Sequence, residues 1–371
     1  MAPEVVEAMT PYLSRLFYNP SAPYCAARRV HADLEGARSR IAAVLGSKAD
    51  NVTFTAGATE ANNLAFAAND GHVVCCSIEH ESVLACAEAR GATLVGASET
   101  GLVDPQDVAR ALTPSTELVS ISLANGEVGA IQPIRSIARV VANERVRRLE
   151  AGERRPLLLH TDASQAAGYV SINASTLGVD LMTISAAKLY GPKQVGVLWH
   201  ADGVSLRPLV RGGGQEGGVR SGTENVAGAM GMACALELAE RMRATEVRRL
   251  RGLSARLRTG LVEAFPNVVL SGPRRDAARL PGLVHASFPH VEARRLIVHL
   301  ERAGVYVGTG SACAASKMRV SHVLAAMGVP EDVARGSLRI SMGRATSQDD
   351  VDYALRAIVD AVGQERSRVR E

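Results

Sequence analysis

The sequence predicts an α/β unit with a mostly parallel sheet, followed by a smaller α+β unit. Three observations carry this. Short apolar runs alternate with helical stretches from about residue 33 to 200. Tight hairpin signals are few along that stretch, so successive strands must be joined by crossovers. After a long helical stretch at roughly 223–264 the order changes to paired strand-like runs and isolated helices.

The elements follow in order. Strand-like runs occupy 51–56, 72–78, 92–96, 117–123, 156–160, 180–185 and 195–200, each short and largely apolar. Helical patterns fill 59–68, 80–90, 104–112 and 133–149 between them. Beyond the long helix, 267–272, 283–288 and 337–342 read as strands, and 291–303 and 348–364 as helices. No internal repeat or low-complexity linker interrupts the chain.

Of 371 residues, 47% are hydrophobic and 22% charged, which excludes extended disorder. A formal charge of +4, evenly spread, gives no reason to expect direct nucleic-acid binding. Lysine is scarce: Lys48, Lys188, Lys193 and Lys317 are the whole set, so lysine chemistry has four candidates. The six cysteines, at 25, 75, 76, 86, 234 and 313, show neither CxxC spacing nor a regular framework, so no metal site or disulfide scaffold is expected. Free thiols and a start without a charged n-region and apolar h-region suggest a cytoplasmic protein. The longest membrane candidate, 226–239, is too short and too rich in Gly and Ala to span a bilayer and reads as a buried helix.

Six segments carry chemistry. In "TAGATEANN" (55–63) a strand, a Gly turn and a helix start near Thr59 suit a phosphate, or Thr59 is a plain helix cap. "SIEHESVL" (77–84) puts His80 at a helix start, where it could stack on a flat ring, shuttle protons, or simply cap. "LLLHTDASQAAG" (157–168) ends a strand with Asp162 and Gln165. A buried Asp162 needs a cationic partner, unless it caps the next helix. "DLMTISAAKLYGPKQ" (180–194) puts Lys188 past the end of a buried strand, where ligands bind in such sheets and desolvation suits an imine-forming amine; a surface turn lysine is the alternative. "RGGGQEGGVRSGTEN" (211–225) could let backbone approach an anion, or be a flexible surface loop. "VGTGSACAASKMRVSH" (307–322) sets Cys313 among small residues, in an unremarkable turn or in one that must travel and react.

Taken together and in order, these parts resemble the cysteine desulfurases, pyridoxal-phosphate enzymes of the aminotransferase class V family. The likeness runs from residue 3 to about 362. Its most specific parts are "FTAGATEANN", "GGGQEGGVRSGTEN", "GTGSACAAS…SHVLAAMG" and "RGSLRISMGRATSQDDVDYAL". The Cys313 segment looks like the longer loop of the group I, NifS/IscS-like branch. The resemblance implies a fold-type I architecture, with a large cofactor-binding domain over 10–240. A small domain over 241–371, together with 1–9, would carry the Cys313 loop. Lys188 matches the lysine that carries pyridoxal 5'-phosphate, Asp162 the partner of the ring nitrogen, and Gln165 the partner of the ring hydroxyl. His80 matches the histidine that stacks on the ring and moves protons. Ala58, Thr59 and Ser185 match phosphate contacts, and Thr223 matches one given by the other subunit of a homodimer. Arg339 matches the arginine that holds the carboxylate of L-cysteine, with Asn125 beside the substrate. Cys313 matches the nucleophile that takes sulfur as a persulfide for an acceptor protein.

The chain also departs from the family. Ala187 stands where a phosphate-binding His is usual, and Gly126 where an Asn reaches the cofactor. Together they are expected to weaken cofactor retention by about 1–3 kcal/mol. The chain starts after the family's Asp-Asn-x-Ala-Thr-Thr segment, which helps line the substrate site. It ends soon after its last helix, where relatives of the general iron–sulfur pathway often carry a longer tail, and this suggests a different sulfur acceptor, such as one serving tRNA thiolation, DNA sulfur modification or a dedicated cluster. The competing readings are a class V aminotransferase or selenocysteine lyase, and a degenerate desulfurase-like subunit acting as carrier or scaffold.

Overall fold

A computed structural model describes residues 1–309 and 321–370. Two helices open the chain, α1 (Pro3–Leu13) and α2 (Cys25–Leu45). There follow β1 (Val52–Thr55), α3 (Ala58–Ala67), β2 (His72–Cys76), α4 (Glu81–Ala89), β3 (Thr93–Val95), α5 (Pro105–Ala111) and β4 (Thr116–Ser120). Next come α6 (Ile134–Glu150), β5 (Leu158–Asp162), α7 (Ala174–Leu177), β6 (Leu181–Ser185), β7 (Gly196–His200) and α8 (Val226–Ala264). The rest comprises β8 (Val269–Leu270), β9 (Leu283–Ser287), α9 (Ala293–Arg302), α10 (His322–Ala326), α11 (Glu331–Ala334), β10 (Ser337–Ser341) and α12 (Gln348–Arg370).

The chain forms two compact units. One comprises 1–95, 105–123 and 133–243; the other comprises 96–104, 124–132 and 244–371. Residues 1–9 therefore belong to the first unit, where the Ala2 N–H donates to the Tyr190 carbonyl (2.9 Å). The expected strands and helices from residue 51 onward form within a few residues of their expected bounds, and α12 continues six residues past the expected 364. Helices α1 and α2 were not expected. In α2 the signal is present: Ala27, Val30, Leu34, Ala37, Ile41 and Leu45 are buried at three- and four-residue spacing, behind an arginine-rich outer face.

The first unit's sheet runs β1-β7-β6-β5-β4-β2-β3. All pairs from β6 to β3 are parallel, while β7 pairs antiparallel with both β6 and β1. Two antiparallel steps make β1 parallel to β6, so β1, β6, β5, β4 and β2 all end at one edge. The central strands are buried on both faces, as crossover helices require. Between α3, α4 and the sheet, Ala61, Leu64, Ala65, Phe66, Val73, Val83, Leu118, Leu181 and Leu198 form one core.

In the second unit β10, β9 and β8 make an antiparallel sheet in that order. Val284, Ala286, Leu338 and Ile340 face one side and are buried. Their neighbours Ser287, His285, Ser337 and Arg339 share the other.

The Gly-rich segment 211–225 is anchored, not free. Glu216 accepts from Arg38 Nη1 (2.7 Å) and Nη2 (2.8 Å) and from the Phe54 N–H (2.8 Å). Arg38 also donates to the Val52 carbonyl (2.7 Å) and lies over the Phe54 ring. Both charged side chains are at least nine-tenths buried, so deleting one strands the other without water. Arg38→Ala should therefore cost about 3 kcal/mol or more in urea unfolding and should speed hydrogen exchange across 211–225.

Candidate active site

The sequence places small residues where the backbone must approach closely. Gly57 precedes α3 with φ 102°, a conformation reserved for glycine. A Cβ on Gly196 would meet the Gly57 carbonyl carbon and the Ile184 oxygen, each at 2.8 Å. Gly196 pairs with Thr55 on one side and Ser185 on the other. The first turn of α3, with Ala58 and the exposed Thr59, is thereby laid beside the end of β6, where Ser185 is buried. Glu60 in that turn would repel an anion. It accepts instead from Arg220 Nε (2.9 Å) and from the Ala56 N–H (2.8 Å), so its charge is compensated.

Lys188 follows β6 in a single 3₁₀ turn at the same edge. The chain folds back on Ala186, whose carbonyl accepts the N–H of both Leu189 and Gly191 (2.9 Å each). Tyr190 and Gln194 hold φ near +60°, an uncommon state for residues with side chains. Lys188 and Ala187 are exposed, so the packing of the described residues does not supply the desolvation expected for the lysine.

Asp162 ends β5, one strand away, and is 9% exposed. Its Oδ1 accepts from the Ser164 N–H (2.9 Å), which is the capping role weighed above. Its Oδ2 accepts from Asn62 Nδ2 (2.9 Å). No lysine or arginine pairs with it among the described residues, and the nearby Asn62 Oδ1 and Ser164 Oγ are buried without partners. A buried carboxylate flanked by unused polar atoms fits a cationic ring nitrogen. Gln165 is half-buried in the turn that follows.

Asn62 also donates to Ser82 Oγ (2.9 Å), which lies 2.9 Å from His80 Nδ1. The Ser82 N–H donates to the same Nδ1 (3.1 Å), so His80 does cap α4. That capping assigns the neutral imidazole's proton to Nε2. Asp162 and His80 are thus two ends of one hydrogen-bonded chain through α3 and α4. Asn62 and Ser82 were not singled out from sequence. A fully buried Asn within the apolar stripe of α3 was the available signal.

Beneath this chain lie two buried titratable groups. His160 sits in β5 between Ser120 Oγ (Nδ1, 2.9 Å) and Thr183 Oγ1 (Nε2, 3.1 Å), and burial pushes it down to about 4. Glu79, next to His80, accepts from the Ser122 N–H (2.8 Å) and pairs with the Ser122 hydroxyl. Burial pushes its carboxyl up to about 8, with the charge of Asp162 adding to the shift.

Thr223 is exposed in the anchored Gly-rich segment. Asn125 and Arg339 belong to the second unit. Asn125 Oδ1 accepts from the Glu127 and Val128 N–H groups (2.9 Å each) and closes a tight turn. Arg339 is half-buried in β10. Cys313 lies outside the described residues. Burial raises the thiols of Cys75, Cys76, Cys86 and Cys234, Cys76 to about 12, so none of these four is poised as a thiolate. No helix among the described residues is long and apolar enough to cross a membrane.

Residues 1–354 match the family model for aminotransferase class-V proteins. The chain is 39% identical over 364 residues to cysteine desulfurase IscS of Dictyoglomus turgidum, covering 95% of this chain and 89% of that one. A solved NifS-like protein superposes with a TM-score of 0.88 at 30% identity, covering 98% of this chain and 96% of that one. SspA, solved in complex with cysteine, superposes with a TM-score of 0.74 at 30% identity over 92% of this chain and 95% of its own.

The folded chain holds the Glu79 proton more tightly than the unfolded chain does. Its contribution to stability is therefore greatest below about pH 4.5 and is lost as pH rises through about 8. Glu79→Gln should remove that loss. Relative to the parent, it should gain roughly 2 kcal/mol or more between pH 5 and pH 8.5 in urea melts.

Proposed function

Because the chain belongs to the aminotransferase class-V family, we propose that it works as that family's cysteine desulfurases do, converting L-cysteine to L-alanine and passing sulfur to an acceptor protein. The observation that carries this reading is the buried Asp162. It has no lysine or arginine partner among the described residues, is wired through Asn62 and Ser82 to His80, and lies at the sheet edge that also bears Lys188. Transamination needs no thiol, so the Cys313 segment favours desulfuration over an aminotransferase.

The residues present fit pyridoxal 5'-phosphate. Asp162 would hold the ring nitrogen, Gln165 the ring hydroxyl, and Ala58, Thr59 and Ser185 the phosphate. Thr223 would be offered to the phosphate of a second copy of the chain, making the enzyme a homodimer. The cofactor, when bound, draws electrons from the substrate Cα.

Each remaining task falls to a side chain. Arg339 holds the substrate carboxylate in its planar fork, with Asn125 beside it. Lys188 Nζ carries the cofactor and moves the Cα proton. His80 Nε2 bears the proton exchanged with the substrate, because Nδ1 is committed to the helix cap. The Cys313 thiolate attacks the substrate sulfur. The C–S bond breaks, its electron pair remains on carbon to be protonated, and the sulfur leaves as a persulfide on Cys313. The five cysteines among the described residues have no disulfide partners, which suits a reducing, cytoplasmic setting.

The absorbance of the purified protein should show a cofactor band that is absent from Lys188→Ala. Alanine formation from L-cysteine should disappear with Cys313→Ser while the band remains. A protein that stays colourless and inert with added cofactor would instead mark a degenerate carrier subunit. Ala187 and Gly126 bear on retention: restoring His at 187 and Asn at 126 should slow cofactor loss on dialysis by about five- to hundredfold.

A further inference from the structure

Asn62 is fully buried in α3. Its amide nitrogen gives one N–H to Asp162 Oδ2 and the other to Ser82 Oγ, each at 2.9 Å. Asp162 Oδ1 is held separately by the Ser164 N–H (2.9 Å). With both oxygens held, the carboxylate cannot turn about its Cβ–Cγ bond. Ser82 Oγ lies 2.9 Å from His80 Nδ1, which also accepts the Ser82 N–H (3.1 Å). The Nδ1 lone pair therefore faces Ser82, and the Ser82 hydroxyl proton points to it.

The orientation of the Asn62 amide is informative. Its Oδ1 is buried without a partner. Turning the amide over would offer that oxygen the Ser82 hydroxyl, but would set it against Asp162 Oδ2, and two acceptors repel. The observed orientation thus follows from Asp162 and Ser82 and leaves a buried oxygen bare, which is costly. A residue needed only to fill this face of α3 would be apolar, as the buried Ala61, Leu64 and Ala65 are.

We propose that Asn62 is the positioning residue shared by both ends of the site: one N–H sets the Asp162 carboxylate for the ring nitrogen, and the other, through Ser82, sets the His80 imidazole. The inference rests on the readings of Asp162 and His80 given above. A carboxylate fixed in one orientation meets the ring nitrogen without first being ordered by it. His80 is exposed, and the two bonds at Nδ1 restrain a ring that packing leaves open to solvent.

The test follows cofactor release by absorbance in Asn62→Leu, Ser82→Ala and Asp162→Ala. Each is loaded with pyridoxal 5'-phosphate or with its analogue bearing C–H in place of the ring nitrogen, and kinetics with L-cysteine are measured alongside. Asn62→Leu should speed release of pyridoxal 5'-phosphate about tenfold, as for a lost hydrogen bond to a charged group, and leave release of the analogue within about twofold. Ser82→Ala should release both as the parent does and lower kcat about three- to tenfold with KM little changed. Equal effects of Asn62→Leu on the two cofactors would show a merely structural role and overturn the proposal. A Ser82→Ala variant with the parent's kcat, or with fast release, would overturn it as well. Asp162→Ala that releases pyridoxal 5'-phosphate no faster than the parent would instead overturn the reading of Asp162, and this inference with it. If Asn62→Leu does not fold, Asn62→Ala, which adds no bulk, is put through the same comparison.

Discussion

Gly57 and Gly196 meet backbone to backbone at the carboxyl edge of the large sheet, with no room for a side chain between them. That contact fixes the start of α3 beside β6 and so sets the spacing between the α3 turn and Ser185. It also gives α3 the angle at which its buried face carries Asn62 to Asp162. A methyl group on Gly196 would push against Gly57 and lift the helix, so the hydrogen-bonded chain from β5 to α4 would lose its middle member; Gly57 has space for a methyl group but needs a backbone angle, φ 102°, that only glycine adopts easily. The parallel direction of β1, β6, β5, β4 and β2 matters for the same reason. Strand ends of one polarity deliver His80, Asp162 and Lys188 to a single edge, which is where α/β sheets bind ligands.

Polar groups in the first unit are buried with most of their partners present. His160 lies between two hydroxyls, and Glu79 takes both donors of Ser122. Unspent capacity remains beside Asp162, at Asn62 Oδ1 and Ser164 Oγ, as it does at Asn69, Ser77 and Glu224. The small sheet of the second unit shows the same contrast. One face is closed by Val284, Ala286, Leu338 and Ile340, and the other carries a row of polar side chains whose hydrogen-bonding capacity is unspent. Unspent capacity in a buried place is costly, and in the first unit part of it lies beside Asp162, to which the proposed chemistry gives a charged partner.

Several sequence segments proved to serve two ends. His80 is both a helix cap and a candidate proton carrier, because the two ring nitrogens are separate: one is spent on Ser82 and the other is left. Asp162 divides in the same way, one oxygen capping the next turn and one bound to Asn62. The Gly-rich segment is likewise divided between anchored and exposed residues. Glu216 and Arg220 pin it to Arg38 and Glu60, and Thr223 between the pinned part and α8 is exposed.

Residue order alone determined the alternation of strand and helix from β1 to β7, since burial on both faces demands continuous apolar runs and the crossovers demand a 3.6-residue period. It also marked the family, through motifs whose order and residue types are both unusual, and it nominated Lys188, Asp162, Gln165, His80, Arg339 and Cys313. Tertiary structure decided the rest. Ser82, Glu79 and His285 give no sign in sequence of what they will face, and Asn62 signals only by interrupting an apolar stripe, because sequence does not report a polar residue's partner. Their partners come from strands and helices tens of residues away: 100 residues separate Asn62 from Asp162, and Ser122 lies 43 from Glu79. Local pattern reports which face a side chain is on; only packing brings a donor to its acceptor and leaves others without one.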